Sequence, residues 1–320
     1  SQQYNLVLER EIARGWKLQA GFVGSRSQKL FASYILNRAR PVAEIPFTTG
    51  SINDRRSDPR RLEVALLNNA GRGYYDAGRV TLTVPRWHRM NLNASYWFSK
   101  AMDLGTDYNA TGAALDARRA PAQTEFESHR DMKARSAFDQ PHALLVQASY
   151  DLPSGRNGWA AWLTQDWSAS AVGLLKNGTP FTVESGSDGP SFGNADGALG
   201  DRPVLLDPAV LGRTIGNPDT SRELLPRRAF RYMDAPREMA GNLGRNTFRR
   251  GKIANINASL ARRWKLPHDR EMNLRGEAIN LFNTPQFAEP GTALASPNFG
   301  QISNTLNDGR TFRFQLGLNF

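Results

Sequence analysis

An all-β, antiparallel transmembrane barrel is the fold this sequence predicts, and three observations carry it. Apolar and polar residues alternate in segment after segment, the breaks between segments are short and long by turns, and the last segment is apolar on one face to its end. The 320 residues include 7 Trp, 8 Tyr and 16 Phe, far too many large apolar side chains for a disordered chain. No run of about 18 apolar residues occurs, so a membrane could be crossed only by strands closed into a barrel. Cysteine is absent, which removes disulfide scaffolds, thiol nucleophiles, iron–sulfur clusters and thiolate zinc sites together.

Period two begins at once. Tyr4, Leu6 and Leu8 alternate with polar neighbours, Arg14 and Gly15 supply a turn, and Trp16, Leu18, Ala20 and Phe22 resume the pattern. Val80, Leu82 and Val84 form a third face, followed after a short break by Met90, Leu92, Ala94, Tyr96 and Phe98. Opposite that face lie Asn91, Asn93, Ser95, Trp97 and Ser99, the pattern of a strand with one apolar and one wet side. Leu144 to Tyr150, the segment 163–175, Ala254 to Leu260 and Leu274 to Ala278 repeat it. In the final segment Phe312, Phe314, Leu316, Leu318 and Phe320 oppose Arg313, Gln315, Gly317 and Asn319. A closing strand of this kind is the usual assembly signal of an outer-membrane barrel, whereas in a soluble sandwich it would be an aggregation-prone edge.

The connections give an independent criterion. Breaks near 12–15, 85–89, 152–159 and 265–270 are short, those near 26–73, 101–140, 185–250 and 283–309 are long, and the two kinds alternate. Tight periplasmic turns and extended extracellular loops produce that asymmetry. Trp16, Trp87, Trp159 or Trp162, and Trp264 each stand beside a short turn, where an interfacial aromatic girdle belongs. About nine strands result. Because bacterial barrels have even strand numbers, an odd count predicts the C-terminal part of a larger barrel, with open edges at Tyr4 and Phe320.

A formal charge of +11 raises nucleic acid as a partner, but the arginine doublets are scattered and no nucleic-acid-binding motif accompanies them. Arg55, Arg56, Arg118, Arg119, Arg227 and Arg228 fall in the long breaks, and they are the candidate extracellular contacts to an anion or to lipopolysaccharide phosphates, or else ordinary solvated charge. His88, His129, His142 and His268 are isolated, so neither a metal site nor a catalytic triad is expected, and the chain is not read as an enzyme. The Gly-rich stretch 186–201 lacks both a phosphate-loop Gly-Lys-Ser/Thr element and the period of calcium-binding repeats, and reads as a flexible loop. Asn91, Asn93, Asn255 and Asn257 are expected to face the lumen, and no cofactor is implied.

Several strings resemble a known family. GNLGRNTFRRG (241–251), INASLARRWKL (256–266), LRGEAINLFNTPQF (274–287), SPNFGQIS (296–303) and RTFRFQLGLNF (310–320) follow one another as at the end of Oar-like TonB-dependent receptors of acidobacterial type. YYDAGRVTLTVPRW (74–87), LNASYWFSKAMDLGTD (92–107) and AFDQPHALLVQASYDLP (137–153) resemble earlier strands of the same family. The resemblance implies a bacterial outer-membrane location and a 22-stranded barrel for energy-coupled uptake of a large or scarce solute. Its partners would be outer-membrane lipid and lipopolysaccharide, the barrel assembly machinery, and TonB. Residues 1–320 would be a partial barrel, since the TonB box, the plug and the N-terminal β-sandwich with its carboxypeptidase-regulatory-like fold would all precede Ser1. The competing expectation is a secreted soluble β-sandwich that binds a ligand, in which the apolar faces would pack on each other.

Overall fold

The computed structural model describes residues 1–104, 122–125, 128–153, 158, 164–268 and 270–319, with Ser33 and Ser128 described by backbone alone. The chain is β throughout, with little helix. In order come β1 (Gln2–Ala13), β2 (Trp16–Leu36), β3 (Val64–Trp87), β4 (Met90–Asp103), the short helix α1 (Ser128–Met132), β5 (Ala134–Arg135), β6 (His142–Asp151) and β7 (Trp167–Lys176). Then follow β8 (Pro180–Phe181), β9 (Val204–Leu205), β10 (Thr214–Ile215), β11 (Phe230–Arg231), β12 (Phe248–Arg250), β13 (Ile253–Leu266), β14 (Arg270–Ile279) and β15 (Thr311–Asn319). One antiparallel sheet runs β1-β2-β3-β4-β6-β7-β13-β14-β15, and β5 pairs with β4.

Register joins the separate apolar faces into one. Leu8 pairs with Ala20, Ala20 with Val80, Val80 with Tyr96, Tyr96 with Leu144, Leu144 with Leu175 and Leu175 with Ala254. Farther along, Ala258 pairs with Ala278 and Ala278 with Phe312. Since a one-residue slip would turn a whole strand over, this even register across nine strands keeps every apolar face on the same side. That side is open to the surroundings, with Phe314 81%, Leu8 70% and Leu316 63% exposed. The two faces of a sandwich would have covered each other; here the apolar face has no protein opposite it, as a lipid-facing surface requires.

The buried apolar core lies elsewhere. Phe181, Val183, Val210, Ile215, Phe230, Leu243 and Phe248 cluster with Leu294, Phe299 and Ile302, all from the long connections. Two small sheets, β10-β12-β8 and β11-β9, stiffen that cluster. Residues 186–201, read from sequence as flexible, are part of this packed layer, with Asn194, Ala195, Asp196 and Asp201 buried. Small residues and short polar side chains fold there because their backbone groups find partners in other loops, which composition does not reveal.

Two breaks are shorter than the sequence suggests. Alternation predicts a loop over 26–73, yet β2 continues to Leu36 and β3 starts at Val64. The pairing register shifts between Ser27 and Leu30 and again between Leu30 and Ala32, and these bulges hide the period of the strand. Crossing a bilayer takes about 9–11 tilted residues. β2 and β3, with 21 and 24, therefore run well beyond it as a two-stranded ribbon.

The break at 85–89 contracts to a two-residue turn, since Trp87 pairs with Met90. His88 and Arg89 have φ of 46° and 70°, both in the left-handed region that the twist of such a hairpin demands. Side chains there cost roughly 1–2 kcal/mol each. The double variant His88→Asn, Arg89→Gly is expected to stabilise the sheet by about 1–2 kcal/mol, read as a higher urea midpoint in folded, lipid-reconstituted protein. A lower midpoint would mean that the Trp87–His88 ring contact at 5.1 Å outweighs the backbone gain.

Candidate functional site: lumen wall and loop cap

On the face opposite the apolar one, polar side chains are tied across strands. Asn93 Nδ2 donates to Thr83 Oγ1 at 3.0 Å, Asn91 Nδ2 to Ser149 Oγ at 3.2 Å, and the Thr81 and Ser95 hydroxyls bond at 2.9 Å. Asn255 Nδ2 donates to Asn257 Oδ1 at 3.1 Å, and that oxygen also accepts from the Asn280 N–H at 2.9 Å. Arg79 donates to Gln19 and lies over the Trp97 ring at 5.1 Å. The asparagines expected to face the lumen thus stand on a hydrogen-bonded polar wall.

All four short connections lie at one end of the sheet and all four long ones at the other. The described residues of the long ones meet in a cap, and residues 177–252 are its hub. Toward 37–63, Ala39 N–H donates to Asp196 O at 2.9 Å, Arg38 Nε meets Asp196 Oδ2 at 2.6 Å, and Arg55 Nη2 donates to Ala195 O at 2.6 Å. Toward the second long connection, Arg202 pairs with Asp131, Arg245 with Asp103 at the end of β4, and Arg249 Nη2 with Asp139 Oδ2 at 2.6 Å. Toward 280–310, Leu294 N–H donates to Glu184 O at 2.8 Å and Ala295 N–H to Ser185 O at 3.0 Å.

Gln123, which no sequence signal singles out, is the junction. It is buried; its Oε1 accepts from the Arg202 and Gly241 N–H groups at 3.0 and 2.9 Å, and its Nε2 donates to Gly241 O at 3.0 Å. A glutamine in a polar stretch carries no periodic pattern, so only the folded loops disclose it.

The sequence-derived site residues separate into groups. Phe312, Phe314, Leu316 and Leu318 take the outer face of β15 opposite Ala278, Gly276, Leu274 and Met272, whereas Phe320 lies outside the described residues. Trp16 and Trp87 meet edge to face at 5.9 Å at the short-turn end, and Trp264 lies near that end of β13. Trp159 and Trp162 lie outside the described residues. Trp167, not anticipated, joins Trp264 there, their rings 5.6 and 4.4 Å from the Arg262 guanidinium.

The arginines divide differently from expectation. Arg55 is 2% exposed, donating to Ala195 O and Ser51 Oγ and lying 4.4 Å from the Phe47 ring. Arg56 is also buried and donates to Asn37 O and, at 3.1 Å, to Asn53 Oδ1. Both guanidiniums are thus turned inward to hold the loop, because its backbone carbonyls need donors, and they do not present themselves to an outside anion. Arg227 is exposed but donates to Leu294 O and Ser296 O. Arg228 is exposed with no side-chain partner among the described residues, and Arg118 and Arg119 lie outside them.

Among the described residues no group of three His, Cys, Asp or Glu could hold a metal. His129 Nε2 and His142 Nδ1 each pair with a tyrosine hydroxyl at 2.7 Å, Tyr34 and Tyr96 respectively. The strongest electrostatic departure is in the hub. Burial pushes the Asp201 carboxyl from its ordinary 3.8 up to about 8, and burial together with the nearby Asp196 pushes Asp188 up to about 6. Asp201 Oδ2 accepts from the Asn194 N–H at 2.8 Å, and Oδ1 has no partner among the described residues.

A sign follows for stability. Between about pH 4 and 8 the unfolded hub has already released the Asp201 proton that the folded one keeps, so the contribution of Asp201 to stability is full below pH 4 and is lost as pH rises toward 8. Amide exchange in the cap is therefore expected to quicken from pH 5 to 8, after correction for the intrinsic rate, and Asp201→Asn to flatten that trend. An unchanged slope in the variant would assign the pH dependence to other groups.

A barrel-forming sheet with a lipid-facing side, a polar side and loops gathered at one end defines the class, and the family comparison agrees. Residues 1–313 match the family model described as outer membrane beta barrel domain. The chain belongs to that family and is a protein of the bacterial outer membrane. Among solved structures it is similar to the outer membrane transporter YddB from Escherichia coli, at 10% identity and a TM-score of 0.47. That match covers 99% of this chain and 32% of the other, so the chain spans about a third of the transporter's length. No curated protein matches the sequence.

Proposed function

We propose that these residues are the C-terminal part of the barrel of a TonB-dependent outer-membrane receptor, about nine strands of 22, serving energy-coupled uptake of a large or scarce solute. The observation that carries the reading is the open sheet: β1 and β15 are the ends of the strand order and are not paired with each other. Open edges in hydrocarbon leave backbone groups unsatisfied at several kcal/mol each, so further strands must complete the wall. The TonB part of this reading rests on the sequence blocks that resemble Oar-like receptors. Plug and TonB contact belong to sequence outside these residues, and transport belongs to the parent protein. The barrel assembly machinery and lipopolysaccharide are its partners in the membrane.

The experiment is expression with a signal peptide, once as residues 1–320 and once behind the native upstream sequence, followed by outer-membrane fractionation and heat-modifiability on a gel. Only the longer form is expected in the outer membrane as a heat-modifiable band. A heat-modifiable band from residues 1–320 alone would overturn the partial-barrel reading. In a strain lacking TonB the longer form should still assemble while solute-dependent growth is lost; growth that persists would overturn the energy-coupling part.

A further inference from the structure

We propose that the cap contains a binding site for a phosphate-bearing ligand, in the open cavity of about 650 Å³ between α1 with β5 and the loop 240–247. The volume lies within the range of small-molecule sites, roughly 300–1,000 Å³. Its charge is one-sided. Of the charged residues lining it, Asp131 is held by Arg202 and Arg245 by Asp103, which leaves Arg130, Lys133 and Arg135. These three are exposed, lie within six residues of one another, and have no carboxylate partner among the described residues.

Unpaired cations brought to one wall repel each other, and they are stabilised together by a multiply charged anion. Two guanidiniums offer forked donor pairs that match phosphate oxygens, and the lysine adds a point charge. The opposite wall leaves room for the rest of the ligand. Gly241 packs so closely that a Cβ there would come within 1.9 Å of Arg202 O, so this wall stays flush with the hub. Asn242 uses Oδ1 to accept the Leu205 N–H at 2.7 Å, and its amide NH₂ has no partner among the described residues. The site rests on this geometry and does not depend on TonB coupling.

A phosphate group here could come from lipopolysaccharide or from a phosphorylated solute, and the test separates them. The protein with its native upstream sequence, purified from outer membranes in detergent, is titrated with inorganic pyrophosphate and with lipid A by calorimetry. Saturable binding of at least one probe is expected, weakening at least tenfold in the triple variant Arg130→Gln, Lys133→Gln, Arg135→Gln and unchanged in Arg228→Gln. Lipid A binding that disappears on dephosphorylation assigns the site to the headgroup, and pyrophosphate binding without lipid A binding assigns it to a soluble ligand. Binding of neither probe, or an equal loss in Arg228→Gln, overturns the proposal. All variants should keep heat-modifiability, which shows that the barrel is intact.

Discussion

Arg245→Met is expected to lower the free energy of opening the cap by about 3–5 kcal/mol, the usual cost of leaving one buried charge uncompensated. The side chains of Arg245 and Asp103 are 1% and 4% exposed, and the pair fastens the hub loop to the end of β4. With the guanidinium gone, Asp103 must stay charged without Arg245, take up a proton, or pull the loop open. Hydrogen exchange on cap amides reads the loss directly. The double variant Arg245→Met, Asp103→Leu separates pair from charge, because an apolar replacement of both partners is often neutral. It should recover most of the protection. If it falls as far as the single variant, the shape of the pair matters more than its charge, and the electrostatic account is wrong.

Phe314→Arg should be nearly as damaging, through the bilayer. Phe314 is 81% exposed on the outer face near the middle of β15, and a guanidinium near the membrane midplane costs about 2–4 kcal/mol. Its neighbours already show how differently the other face behaves: Arg313 and Gln315 alternate with it on the polar side, and Gln315 pairs with Arg275. Gln315→Glu, one residue away, should therefore change stability by only a few tenths of a kcal/mol. Unfolding in lipid vesicles and the amount of each variant recovered in the outer membrane test the contrast. Equal losses for both would mean that β15 does not face lipid.

Strands were legible wherever one side meets lipid and the other meets water, because that difference writes a period of two into the residues themselves. Leu92 to Phe98 and Phe312 to Leu318 are examples, and their partners follow once the turns are located. The upper halves of β2 and β3 were not legible, since beyond the bilayer neither face needs to be apolar and bulges near Leu30 break the period. The cap was hidden for another reason. Arg38 and Asp196 are 158 residues apart and Arg245 and Asp103 are 142, and nothing local distinguishes such an arginine from a solvated one. The pattern puts Arg55 and Arg56 in a long loop but carries no sign that their guanidiniums turn inward to backbone carbonyls. The cavity beside α1 was equally unreadable, because its cations and its glycine wall come from separate loops.

The hub arrangement constrains how this surface can diversify. Surface loops commonly tolerate more change than the elements they connect. Here Ala195, Asp196, Arg202 and Arg245 each serve a partner in another loop, so a residue altered on one side leaves an unmatched group on the other. Variation in the cap must then come as paired substitutions at positions far apart in sequence, while exposed positions on the outer parts of β2 and β3, such as Phe31 and Leu67, remain free to drift one residue at a time.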